Sequence, residues 1–175
     1  MTLTITPLGT YAGAEATGVD LSRPVDAETR QRLRAALVEH VALVVRGQKL
    51  DPDSFVTAVR AFAEPVQQNF ATERLDKDGY VGVVTNALLA KSGERVYHSA
   101  YWHTDHTNRA VPPSFTALYA VELPASGGGD TGVINTRAAY AALAPEMRRK
   151  IEGLETVNVF QVFHCGEMIG FCLQN

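Results

Sequence analysis

The residues best equipped for chemistry sit in one run, His98-Ser99-Ala100-Tyr101-Trp102-His103-Thr104-Asp105-His106, which holds three of the chain's five histidines. In an extended strand, residues two apart point to the same face about 6.6 Å apart along the chain, so His103 and Asp105 can converge on one cation. One imidazole and one carboxylate are two of the three ligands in the 2-His-1-carboxylate set, which leaves open positions on Fe(II) for small molecules. On the same regular strand Thr104 and His106 point away, which makes His106 a candidate for the substrate side. That geometry also argues against a zinc site built from His98, His103 and His106. A solvated surface strand carries the same His-x-Asp pattern, and the tripeptide alone does not separate the two readings.

The elements that must hold this run are legible on either side of it. Thr2-Leu3-Thr4-Ile5-Thr6 alternates with the period of a half-buried strand, and residues 14–21 continue extended until Gly18 interrupts them. Asp26 suits the N-cap of a helix whose Leu33, Leu37 and Val41 recur on one face. The run Val41-Ala42-Leu43-Val44-Val45 predicts a strand buried on both faces and closed by Gly47. Asp51-Pro52 restarts a helix, with Phe55, Val59 and Phe62 facing inward.

Further on, residues 80–85 and 115–123 read as strands, and 124–129 as a sharp turn. Asn135 or Thr136 caps a short helix, Pro145 begins another that stops at Gly153, and 154–163 reads as a final strand. Strands outnumber helices, and the helices do not alternate with them one for one. The expected class is therefore mainly β with flanking helices, a double-sheet barrel in one domain over 1–175.

Composition narrows the functions. The 175 residues are 46% hydrophobic and 20% charged, as in an ordinary globular chain. A net charge of −3 and a pI near 5.9 provide no basic field for a nucleic-acid backbone. No apolar run approaches the roughly 20 residues that cross a bilayer, and no basic-then-apolar leader opens the chain, so neither membrane nor secretion is expected. Two cysteines, Cys165 and Cys172, make no disulfide framework, and a cytoplasmic location is expected.

Several separated motifs fall in register around the His-x-Asp. Trp102-His103-Thr104-Asp105, Pro112-Pro113, Glu122-Leu123-Pro124 and Gly128-Gly129-Asp130-Thr131 together resemble the signature of the taurine dioxygenase-like (TauD/TfdA) Fe(II)/2-oxoglutarate oxygenases. The opening Gly13-Ala14-Glu15-Ala16-Thr17-Gly18-Val19-Asp20-Leu21 and the later Val44-Val45-Arg46-Gly47-Gln48 are similar to the same family, so the resemblance covers about residues 8–159. It implies a double-stranded β-helix, or jelly-roll, cupin-like core. It implies iron held by His103 and Asp105, with Thr131 on a carboxylate of 2-oxoglutarate.

Ser99 stands where the taurine enzymes have an Asn and is carried as a second cofactor contact; His106, Asn86 and Tyr101 are candidates for the substrate pocket. Trp102, the only tryptophan, is expected to pack in the core beside the site. The implied reaction joins O2 and 2-oxoglutarate to hydroxylation of a small organic acid, with release of succinate and carbon dioxide. No His occupies Glu64-Pro65-Val66-Gln67-Gln68, where the taurine enzymes bind the sulfonate. This argues against taurine itself and leaves other sulfonates, sulfate esters, aryloxy acids and amino-acid-like substrates open.

Two expected groups have no counterpart in the sequence. The resemblance implies a distal iron-binding His followed by an Arg for the far carboxylate of 2-oxoglutarate. After Asp105 and His106 the only His is His164, in an unlike Phe-His-Cys-Gly setting, and no Arg follows Arg149. The composition of 161–175 departs from the rest. The expectation is an incompletely closed barrel with open edges, prone to self-association as a homo-oligomer, and a catalytically incomplete or purely binding form of the fold is the alternative function.

Overall fold

The computed structural model describes residues 2–67, 75–84, 102–125 and 127–158. In chain order its elements are β1 (Thr4–Pro7), β2 (Ala14–Thr17), α1 (Ala27–His40), β3 (Leu43–Val45), α2 (Pro52–Arg60), α3 (Thr136–Ala142) and α4 (Pro145–Ile151). The contacts divide into two compact units, one formed by Met1–Val84 with Ala117–Leu143, the other by Thr85–Thr116 with Ala144–Asn175.

In the first unit β2 is the central strand of three. It pairs antiparallel with β1, Thr4 opposite Thr17, and parallel with β3, Ala14 opposite Leu43. Two parallel neighbours need a crossover, and α1 supplies it. The Glu15 carboxylate on β2 meets the Arg46 guanidinium just past β3 at 2.6 Å. Gly18 ends β2 with φ +75°, and a Cβ there would collide with the Thr2 carbonyl, so only glycine fits.

Local chemistry sets the helix starts. Asp26 accepts the Thr29 N–H at 2.8 Å to cap α1. Asp51 and Ser54 form a reciprocal capping box at α2, with Pro52 in the first turn. Asn135 caps α3 through the Ala138 N–H, and Pro145 opens α4. These starts match the sequence reading.

The buried core gathers Leu3, Ala16, Leu21, Leu33, Ala58 and Ala61, with Ile5, Val45, Leu50 and Phe62 packed around it. Leu33, at the middle of α1, is fully buried. On α2 the buried positions are Val56 and Ala58 instead of the expected Phe55 and Val59, which are half-buried. Ala58 and Ala61 join the core cluster, and Phe55 turns to Tyr119, ring centroids 5.9 Å apart. The Tyr119 hydroxyl accepts the Leu50 N–H at 3.1 Å and donates to the Gln48 carbonyl at 3.3 Å.

Several strand expectations are corrected among the described residues. Val41 is the cap of α1 with φ +68°, so β3 shortens to three residues, and Val44 is exposed where burial on both faces was expected. Residues 80–84, 115–123 and 154–158 form no ladder strand. Among the described residues helices outnumber strands, and the architecture there is a small mixed sheet with helices. The reason lies in pairing: an apolar run becomes a strand only when a neighbour takes its backbone hydrogen bonds. Among the described residues no helix is long and apolar enough to cross a membrane.

Candidate metal centre

Within the second unit, His103 Nε2 and Asp105 Oδ1 lie 3.3 Å apart. The sequence reading derives this convergence from a regular strand, and that premise is corrected. Residues 102–104 are irregular and a turn starts at Asp105. His106 takes φ +54°, and its carbonyl accepts the Arg109 N–H at 3.0 Å. The left-handed residue reverses the chain directly after the carboxylate, so the assignment of His106 to an opposite strand face no longer applies; it is half-buried in the turn.

The separation is informative. A charge-assisted N–H to carboxylate bond draws its atoms to about 2.7–2.9 Å. Two donors each about 2.1 Å from one ion, at right angles around it, stand about 3 Å apart. At 3.3 Å the two atoms are near enough to bind one ion together. Both side chains are partly open, with 36% and 43% of their surface accessible, so a hydrated cation can reach them. An imidazole nitrogen and a carboxylate oxygen suit a borderline divalent transition metal, and the donor pair therefore fits ferrous iron.

The other oxygen of the same carboxylate is also engaged. The Thr116 hydroxyl donates to Asp105 Oδ2 at 2.5 Å. Nothing in the spacing of the sequence points to Thr116, because a single hydroxyl eleven positions downstream of Asp105 and beyond Pro112-Pro113 carries no pattern. Among the described residues no group of three or more His, Cys, Asp or Glu side chains gathers, so a third ligand is not found there.

Thr131 belongs to the first unit and is exposed. It follows Gly127, Gly128 and Gly129, which take φ of +76°, +87° and +73°, a succession of left-handed residues open only to glycine without strain. A Cβ on Gly127 or Gly128 would meet nothing, so it is backbone conformation and not crowding that calls for glycine here. Trp102 is 70% exposed, which overturns its expected place in a core. Asn86, His98, Ser99, Tyr101 and His164 lie outside the described residues.

The carboxylates whose acidity is shifted by their surroundings lie elsewhere and hold structure. The Ser22 hydroxyl and the Arg23 guanidinium lower Asp20 to about 2. The Thr29 N–H lowers Asp26, and the Ser54 hydroxyl and N–H lower Asp51. These groups cap helices and turns, with no part in the His103–Asp105 pair.

Comparison with known proteins agrees with the motif run. The family model described as taurine catabolism dioxygenase TauD, TfdA family matches residues 4–164. An alpha-ketoglutarate-dependent sulfate ester dioxygenase of Pseudomonas putida is 36% identical over 157 residues, which are 89% of this chain and 49% of that protein. The alpha-ketoglutarate-dependent 2,4-dichlorophenoxyacetate dioxygenase of Cupriavidus pinatubonensis is 26% identical over 166 residues, covering 88% of this chain and 57% of its own. A solved taurine dioxygenase from Burkholderia xenovorans superposes with a TM-score of 0.69 at 29% identity, over 86% of this chain and 51% of that one. The chain thus spans about half the length of the curated relatives it matches.

Proposed function

The chain belongs to the TauD/TfdA family of Fe(II)- and 2-oxoglutarate-dependent dioxygenases, and from that premise we propose that it carries the first two iron ligands, His103 and Asp105, of a jelly-roll dioxygenase acting on a small organic acid. The observation that supports this most directly is the 3.3 Å approach of an imidazole nitrogen and a carboxylate oxygen on a partly open surface. Relatives named for sulfate esters and for an aryloxyacetate favour a substrate with an anionic head, among sulfonates, sulfate esters, aryloxy acids and amino-acid-like compounds.

When bound, the metal and 2-oxoglutarate supply the oxidation, in which O2 is consumed, succinate and carbon dioxide are released and a substrate C–H bond is hydroxylated. The protein's own side chains bind and orient. His103 and Asp105 would hold the ion through one imidazole nitrogen and one carboxylate oxygen. Thr131 and Ser99 are the candidates for 2-oxoglutarate that the family resemblance suggests, since a hydroxyl can donate to a carboxylate. Asn86 and Tyr101, outside the described residues, and His106, half-buried in the turn after Asp105, are the candidates for the substrate side.

Titration with Mn(II) under anaerobic conditions, with and without 2-oxoglutarate, tests the assignment. Saturable binding abolished by His103→Ala and by Asp105→Ala is the expected result. No binding at millimolar metal, or binding indifferent to both substitutions, overturns it. One observation favours a second reading, a metal-binding module of the same family without turnover: only two metal-competent side chains meet among the described residues. Succinate formation separates the two readings, because the module binds metal and releases none.

A further inference from the structure

An ionised carboxylate on a short side chain rotates over a broad, two-fold torsion, so nothing intrinsic to Asp105 decides which oxygen it presents. Here both oxygens are assigned: Oδ1 stands 3.3 Å from His103 Nε2, while Oδ2 accepts the Thr116 hydroxyl. We propose that Thr116 is a positioning residue for the metal centre, its hydroxyl holding Oδ2 so that Oδ1 alone is offered beside the imidazole. The inference rests on His103 and Asp105 being the ligands.

Three features make the hydroxyl suited to this. A carboxylate can only accept, so the Thr116 O–H must donate and its proton is committed to Oδ2. The donor is neutral, so it orients the carboxylate without cancelling the charge that attracts a cation, as an Arg or Lys in that place would. Threonine is branched at Cβ and stiff about its first torsion, and Pro112-Pro113 restrict the backbone leading to it, so the hydroxyl is delivered by a pre-set segment. A carboxylate in simple ion pairing with an exposed histidine would leave its second oxygen to water. In this structure a specific side chain from beyond the turn occupies it.

The test compares the full-length parent with Thr116→Val, which keeps the shape and removes the hydroxyl, and Thr116→Ser, which keeps the hydroxyl. The probe is Co(II) alone, read by calorimetric affinity and by its visible absorption bands. Thr116→Val is expected to weaken binding about tenfold, the scale seen when a partner of a metal ligand is lost, and to alter the Co(II) bands. Thr116→Ser is expected to restore both affinity and spectrum, while the metal-free proteins melt alike. A Val variant equal to the parent, or a Ser variant as weak as the Val variant, overturns the proposal, the second because packing of the methyl group then explains the effect. His103→Ala and Asp105→Ala serve as reference: if neither reduces Co(II) binding, the ligand assignment itself fails and the role of Thr116 with it. If both reduce it and Thr116→Val does not, only the positioning role fails.

Discussion

The segment around Leu33 and the segment 117–134 are both apolar in sequence, and they end in opposite states. Around Leu33, two helices and a three-stranded sheet supply one another's covering, and Leu33 is wholly withdrawn from solvent. Along 117–134 the side chains of Leu118, Val121 and Leu123 are 64%, 87% and 75% exposed, and among the described residues no ladder takes up the backbone. Tyr119 is the point of attachment, held by Gln48, Leu50 and Phe55. The difference shows that hydrophobicity drives burial only where the chain also provides a partner surface within reach.

The largest effect that can break this contrast is expected at Leu33. Leu33→Ala removes side-chain atoms from a fully buried site and should cost about 2–5 kcal/mol in denaturant unfolding, a large fraction of a domain's stability. A loss below about 1 kcal/mol would mean that the first unit is not organised around this residue.

Next come two glycines, one in each region. Gly18→Ala must both hold a left-handed backbone and displace the Thr2 carbonyl, whereas Gly128→Ala faces open space and pays only for its conformation, about 1–2 kcal/mol. Thermal melts should therefore rank Gly18→Ala as the more damaging. Equal shifts would remove the close β1–β2 approach as the reason for glycine at position 18.

How much of this was legible in the sequence follows from the range of each cause. Caps and helix starts at Asp26, Asp51-Pro52, Asn135 and Pro145 depend on residues within one turn, and all four read correctly. Strand formation at 115–123 depends on a distant partner, and its β-like composition misled. The same dependence on distant partners limits how far strand counting alone describes the architecture, which among the described residues is a small mixed sheet with helices. At the site, spacing two apart identified His103 and Asp105 as residues that can meet, but their meeting comes through a turn with His106 left-handed instead of through a strand. Thr116 was invisible because its part is defined by a contact across the turn alone.

A smaller effect is expected from pH, and the two helix-capping carboxylates of the first unit contribute to it. The Asp26 and Asp51 carboxylates are held below the ordinary Asp value of about 3.9 by hydrogen bonds present only in the folded chain. A group with a depressed folded pKa adds stability that is complete above the unfolded value and lost as pH falls through the folded one. Melting temperature should thus decline below about pH 4, and Asp26→Asn with Asp51→Asn, which keep an N-cap acceptor, should flatten that decline. An unchanged acid limb in the double variant would transfer the effect to other carboxylates, Asp20 being ionised down to about 2 by Ser22 and Arg23.

The smallest effect on stability, and the sharpest use of the contrast, is expected at Val121. Its side chain is already in water, so Val121→Thr should leave the free energy of unfolding within about 0.5 kcal/mol of the parent, against the several lost at Leu33. The same exposure gives the residue a different sensitivity. An exposed apolar segment favours association between copies, so sedimentation velocity at rising concentration should show the parent self-associating. Val121→Asp combined with Leu123→Asp should shift that equilibrium toward monomer without moving the unfolding midpoint. A monodisperse parent would remove self-association from the account, and a double variant that loses stability as well as association would show that 117–134 is packed in solution and that the two regions differ less than their exposures indicate.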